Sequence, residues 1–189
     1  MTLIVGVDEV GRGCLAGPVY AAAVVMDEGQ TLVGLKDSKL LSKKKRNELF
    51  EVIVTNCYEY SLGSQDNKEI DQLNILNASL KAMELAIGQL KIGFKKGYID
   101  GPYLPKNLIG QEIKYKPIIG GDKIFPCISA ASIIAKVSRD QYMNELDNQY
   151  PDYGFKKNKG YPTKEHIGAI KELGPTPFHR LSFKPELYE

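Results

Sequence analysis

Gly6-Val7-Asp8-Glu9-Val10-Gly11-Arg12-Gly13 places two adjacent carboxylates at the end of an apolar strand and follows them with a Gly-Arg-Gly turn. Leu3, Ile4, Val5 and Val7 read as a short buried strand. Charges left unpaired away from water are costly, so a strand ending in two acids calls for a positive partner. A divalent cation fills that role. Gly11 and Gly13 have no Cβ, so their backbone can come close to a ligand. Arg12 between them suits a phosphate. Acids for a metal, bare backbone and a guanidinium together point to phosphodiester chemistry.

Two other glycine motifs are excluded. The dinucleotide fingerprint needs G-x-G-x-x-G, whereas these glycines stand at 6, 11 and 13. A P-loop needs Gly-Lys before Ser or Thr, and Gly11 is followed by Arg12-Gly13. At 189 residues and 43% hydrophobic, the chain reads as a single domain with one sizeable core. No apolar run approaches bilayer length, and the sequence opens on a strand without a signal peptide, so a cytoplasmic location is expected. Cys14, Cys57 and Cys127 are widely spaced and fit reduced thiols. With only His166 and His179 besides, a zinc site is not expected. The net charge is only +2, but basic residues cluster at Lys36, Lys39, Lys43 to Arg46, Lys95-Lys96 and Lys156, Lys157 and Lys159.

The hydrophobic pattern predicts strands at 3–8, 18–26, 57–62, 97–100 and 115–119. Ser42 caps a helix with Leu49, Phe50 and Ile53 on one side, and Asp66 with Glu69 is spaced as a capping box. That box opens a long helix whose Leu73, Leu76, Leu80, Met83, Ile87 and Leu90 step by three and four. Further helices are expected at 129–148 and at 163–173, the latter stopped by Gly174-Pro175. The fold class is therefore α/β: a central mixed five-stranded sheet flanked by helices.

Asp100 closes a strand before Gly101-Pro102, and Asp122 follows Gly120-Gly121 at the next strand end. Ligands in open α/β sheets gather at the carboxyl ends of strands, so Asp8, Asp100 and Asp122 meet if their strands are neighbours. Asp8 and Glu9 should point to opposite faces, and both reach one site only if the strand breaks at Glu9. Four carboxylates without His or Cys make a hard oxygen site for Mg²⁺ or Mn²⁺. Two such ions, about 3.5–4 Å apart, can activate water and stabilise a leaving oxygen.

The octet is followed, in order, by Leu35-Lys36-Asp37-Ser38-Lys39-Leu40, Ile99-Asp100-Gly101, Gly120-Gly121-Asp122 and the run Ile128 to Val137. Lys159-Gly160-Tyr161-Pro162-Thr163 and His179-Arg180-Leu181-Ser182-Phe183 complete the series. Together these motifs resemble bacterial ribonuclease HII, the type 2 ribonuclease H, over essentially the whole chain. The resemblance implies a ribonuclease H-like fold with a helical C-terminal portion, about 145–189, closing the substrate groove of one domain spanning 1–189. It implies an endonuclease that cuts the RNA strand of RNA–DNA hybrids and also cuts at single ribonucleotides embedded in duplex DNA. Carried over by residue, the metal-binding and catalytic acids are Asp8, Glu9, Asp100 and Asp122, with Mn²⁺ or Mg²⁺ as cofactor. The turn Gly11, Arg12, Gly13 would read the ribose 2′-hydroxyl, which separates RNA from DNA. Tyr161 would stack on the sugar 3′ of the cut. Phosphate contacts are expected from Arg12, Lys39, Lys136 and Arg180, with hydroxyls from Ser38 and Ser132. Lys136 also stands four residues before Asp140, so an intrahelical pair is an equal reading. His166 and His179 are expected as surface or capping residues. The expected partners are the hybrid and ribonucleotide-containing duplex; the chain is expected to be monomeric, with no evident replication-clamp motif.

Overall fold

The computed structural model describes residues 2–35 and 41–187. Strands β1 (Leu3–Val10), β2 (Val19–Asp27), β3 (Glu59–Gln65), β4 (Lys96–Asp100) and β5 (Lys114–Ile118) form one mixed sheet in the order β3-β2-β1-β4-β5. β1, β2 and β3 are antiparallel neighbours, while β4 and β5 run parallel to β1. The helices are α1 (Lys43–Asn56), α2 (Asn67–Gly88), α3 (Pro126–Gln149), α4 (Phe155–Asn158) and α5 (Lys164–Leu173).

β1 and β2 are covered on both faces, which is why they read as nearly continuous apolar runs. On one face Ile4, Ala22, Val24 and Met26 pack with Ile128, Ala131, Ile134 and Ala135 of α3 and with Leu49 and Ile53 of α1. On the other, Val5, Val7, Ala21, Ala23 and Val25 pack with Ile70, Ala78, Ala82, Met83 and Ala86 of α2. Gly6 lets α3 lie directly against β1, for a Cβ there would fall 2.2 Å from the Cys127 carbonyl carbon. Gly6→Ala is expected to push the helix off the sheet and cost about 1–3 kcal/mol. A urea midpoint equal to wild type would contradict that packing.

Three expectations are revised. α2 is not one regular helix: Asn74 has φ 64° and ψ 163°, and its side chain accepts from the Asn77 N–H, starting a second segment. Its buried face holds Ala78, Ala82, Met83 and Ala86, whereas Leu73 is 40% exposed. Small side chains share that face with Met83 and Ile87 of the expected stripe, and Leu80 and Leu90 pack at its edge. α3 starts three residues earlier than expected, with Pro126 in its first turn, where a missing N–H costs nothing.

A third cluster, Leu15, Ala16, Met143, Leu146, Tyr153, Phe155 and Ile170, ties the C-terminal portion to the segment after the Gly-Arg-Gly turn. Among the described residues no helix is long and apolar enough to cross a membrane. All three cysteines are free.

Candidate metal-dependent active site

The sheet order places β1, β4 and β5 side by side, so the strand ends carrying Asp8 and Asp100 are adjacent. Oxygen atoms of Asp8, Glu9 and Asp100 all lie within 4.8 Å of one another. The expected break at Glu9 does not occur, because β1 stays paired with β2 through Val10–Tyr20. What ends instead is the pairing with β4, whose last rung is Val7–Ile99. Past that rung the carboxylates of Asp8 and Glu9 converge with that of Asp100. The Gly120-Gly121 turn holds Asp100 in place: the Gly121 N–H donates to its Oδ1 at 2.7 Å.

Asp8 is 6% exposed and accepts from the Glu9 N–H at 2.7 Å and from the Ser132 hydroxyl. Burial first, then the neighbouring Glu9 and Asp100 charges, push its carboxyl well above the usual aspartate range. Burial also raises Glu9, against the opposing pull of Arg12, which pairs with its Oε1 at 3.1 Å. The second oxygen of Glu9, Oε2, is buried and makes no hydrogen bond. An all-oxygen trio, repelled internally and with one buried oxygen unfilled, has the chemistry of a hard divalent cation site. Asp122 is 3% exposed and lies outside this trio; its backbone carbonyl accepts from the Ser129 hydroxyl.

The acids open into a cleft of about 350 Å³ lined also by Val10, Arg46, Ser132, Lys136 and Tyr161. Lys136 makes the expected intrahelical pair with Asp140 at 2.7 Å, and its Nζ lies 6.0 Å from the centroid of the Tyr161 ring. Tyr161 is 37% exposed, and burial of its hydroxyl surroundings pushes its pKa up to about 12. Arg46 was not anticipated in the cleft; it sat within a lysine run that gives no hint of which member turns inward. Ser38 and Lys39 lie outside the described residues.

Arg180 is corrected most clearly. It is fully buried, and its Nε and Nη atoms donate to the carbonyls of Gly17, Arg12 and Gly11 at 2.7–2.9 Å. A guanidinium so enclosed presents no face to a phosphate. It shapes the glycine turn instead. Arg139, overlooked in the sequence, packs against Gly11 from α3 and donates to the carbonyls of Pro18, Lys159 and Ala16. Its signal was visible: a charged residue on the face of α3 that also carries Ser132, Ala135 and Met143. Gly11 has φ +92°, and a Cβ there would meet Arg139 Nε at 2.2 Å. His166 and His179 are buried rather than superficial, with their Nε2 atoms 3.1 Å apart.

The comparisons agree with this geometry. The family model described as Ribonuclease HII matches residues 5–186. A ribonuclease HII from Coxiella burnetii is 52% identical over 185 residues, covering 97% of this chain and 89% of that protein. The crystal structure of ribonuclease H2 from Pyrococcus horikoshii OT3 superposes with TM-score 0.83 at 27% identity, covering 99% of this chain and 97% of the other. Bst-RNase HIII in complex with Mn²⁺ shares the fold, with TM-score 0.72 at 18% identity over 97% of this chain and 67% of the other. With its mixed sheet, its converging acids and a match over nearly its full length, the chain belongs to the ribonuclease HII family and is a ribonuclease H of that type.

Proposed function

We propose that this endonuclease cuts the RNA strand of RNA–DNA hybrids and also cuts 5′ of a single ribonucleotide embedded in duplex DNA, leaving 3′-hydroxyl and 5′-phosphate ends. One observation carries the reading: the acidic trio, Lys136 and the Tyr161 ring line a single cleft, and the glycine turn directly follows Glu9. Asp8, Glu9 and Asp100 would hold two Mg²⁺ or Mn²⁺ ions, with Asp122 as the fourth acid. When bound, such ions supply an activated water and stabilise the departing oxygen.

The chain's own groups do the rest. Asp8, the most buried of the trio, would hold the metal together with Glu9 and Asp100. Arg12, paired with Glu9 at 3.1 Å and with its side chain 46% exposed, would offer its guanidinium to a backbone phosphate. The Gly11-Arg12-Gly13 turn, bonded from behind by Arg180 and packed against Arg139, would present backbone groups to the ribose 2′-hydroxyl. Lys136 and Ser132 would contact phosphates and so place the duplex without reading its sequence. Tyr161 would stack on the following sugar; a deoxyribose fits closer than a ribose, so an RNA-to-DNA junction is favoured.

The test is digestion of duplex DNA containing one ribonucleotide, with the cut mapped on a gel. Tyr161→Ala is expected to lower that cleavage about tenfold or more, at roughly 1–3 kcal/mol for a lost stacking platform. Tyr161→Phe should retain most of it. Equal rates for the two variants would remove Tyr161 from the reading.

A further inference from the structure

The His166–His179 contact is directional, and its direction can be worked out from the fixed donors at its ends. The Thr176 N–H can only donate, and it reaches His179 Nδ1 at 2.8 Å, so that nitrogen is bare. His179 therefore carries its proton on Nε2. The 3.1 Å Nε2–Nε2 contact needs one donor and one acceptor, so His166 Nε2 is bare. His166 then carries its proton on Nδ1, which lies 2.9 Å from the Tyr161 carbonyl oxygen, an obligate acceptor. No charged form satisfies the same contacts. A second proton on His179 would oppose the Thr176 N–H, and one on His166 Nε2 would oppose the proton of His179.

The chain of bonds begins in the C-terminal segment and ends on the residue whose ring lines the acidic cleft. At its origin, Asn67 of α2 holds that segment through the Pro177 and His179 carbonyls. At its end, the Tyr161 carbonyl already closes a tight turn with the Thr163 N–H at 2.8 Å, and His166 adds a second bond to it. Around the rings stand Phe155, 5.4 Å from His166, and Tyr153, 5.4 Å from His179. That apolar packing lowers the proton affinity of both imidazoles, His179 to about 4, so the pair stays neutral at neutral pH. Packing alone would accept any apolar side chain of this size; two imidazoles in one defined tautomeric order serve a positional purpose.

We propose that His166 and His179 are positioning residues, a hydrogen-bond relay that aims the Tyr161 ring and thereby sets the preference for an RNA-to-DNA junction. The inference rests on the reading of Tyr161 given above.

Two measurements test it. In ¹⁵N-histidine-labelled protein at pH 7, long-range ¹H–¹⁵N correlation is expected to show His166 protonated on Nδ1 and His179 on Nε2. The reverse order, or a charged ring, would overturn the relay. In kinetics, His179→Asn keeps an acceptor for Thr176 but removes the Nε2 donor. Its ratio of single-ribonucleotide to continuous-hybrid cleavage is expected to fall about fivefold or more. His166→Asn, which keeps a donor near the Nδ1 position, should hold that ratio closer to wild type than His166→Leu does. A purely structural pair would lower both activities together and leave the ratio unchanged, and that result would also overturn the proposal. Tyr161→Ala separates the two ideas: if it shifts the ratio while His179→Asn does not, only the relay fails. If Tyr161→Ala leaves the ratio at the wild-type value, the reading of Tyr161 fails and the relay's role with it. Should His179→Asn not fold, the ratio in His166→Asn against His166→Leu decides: equal ratios in the two would overturn the proposal.

Discussion

Replacing Asp8 or Asp100 by Asn should reduce cleavage of an RNA–DNA hybrid by about 10³-fold or more, with the fold intact. A bound cation contributes several kcal/mol to stabilising charge in the transition state, and each 1.4 kcal/mol is tenfold in rate. The physical signature is in stability as much as in rate. In wild type without metal, burial and the neighbouring acids hold the Asp8 proton to unusually high pH. The folded state therefore binds more protons than the unfolded chain between about pH 4 and the raised value. Stability thus falls as pH rises through that window, the reverse of an ordinary salt-bridged aspartate. Asp8→Asn removes the charge, so in EDTA it should melt higher than wild type at pH 8 and lose much of the pH slope. Added Mn²⁺ should raise the wild-type melting temperature and shift the variant far less. Wild-type turnover in Asp8→Asn, or an equal Mn²⁺-induced rise in melting temperature in the variant, would remove the acid trio as the metal site.

Arg180→Met should cost about 3–5 kcal/mol of stability. Four hydrogen bonds to the carbonyls of Gly11, Arg12 and Gly17 disappear, and each buried acceptor left unsatisfied costs roughly 1–3 kcal/mol. The gain from no longer burying a charge offsets part of this; burial already draws the Arg180 pKa down to about 10. For a chain of this size the melting temperature should drop by about 10 °C. Activity should fall further than stability accounts for, since the glycine turn loses its support. A variant melting within a degree or two of wild type would show that the turn holds its shape unaided. Arg180→Lys should rescue little, because one ammonium cannot span three carbonyls as the forked guanidinium does.

Much of the fold was legible because periodicity and caps are local. The Asp66–Glu69 capping box, the Ser42 cap and all five strands stand where spacing predicts, within two or three residues. The kink at Asn74 was not legible, since the leucine spacing runs through it uninterrupted. Arg180 looked like any basic residue near a motif; only its burial, 163 residues from Gly17 in sequence, shows which carbonyls it serves. His166 and His179 are too few and too far apart for spacing to hint that they touch.

By itself the amino-acid sequence determined the chemistry available: which acids, which bare backbone, which aromatic ring, and the strands and helices that carry them. Residue type and short-range spacing contain that much. Tertiary structure alone decided that Asp8 and Glu9, successive residues of one strand, both meet Asp100, just past the last rung of the ladder to β4 at Ile99. It also decided that two buried arginines hold the turn beside them. Such distances depend on where neighbouring strands end and on which distant segments pack together, and no local pattern encodes either.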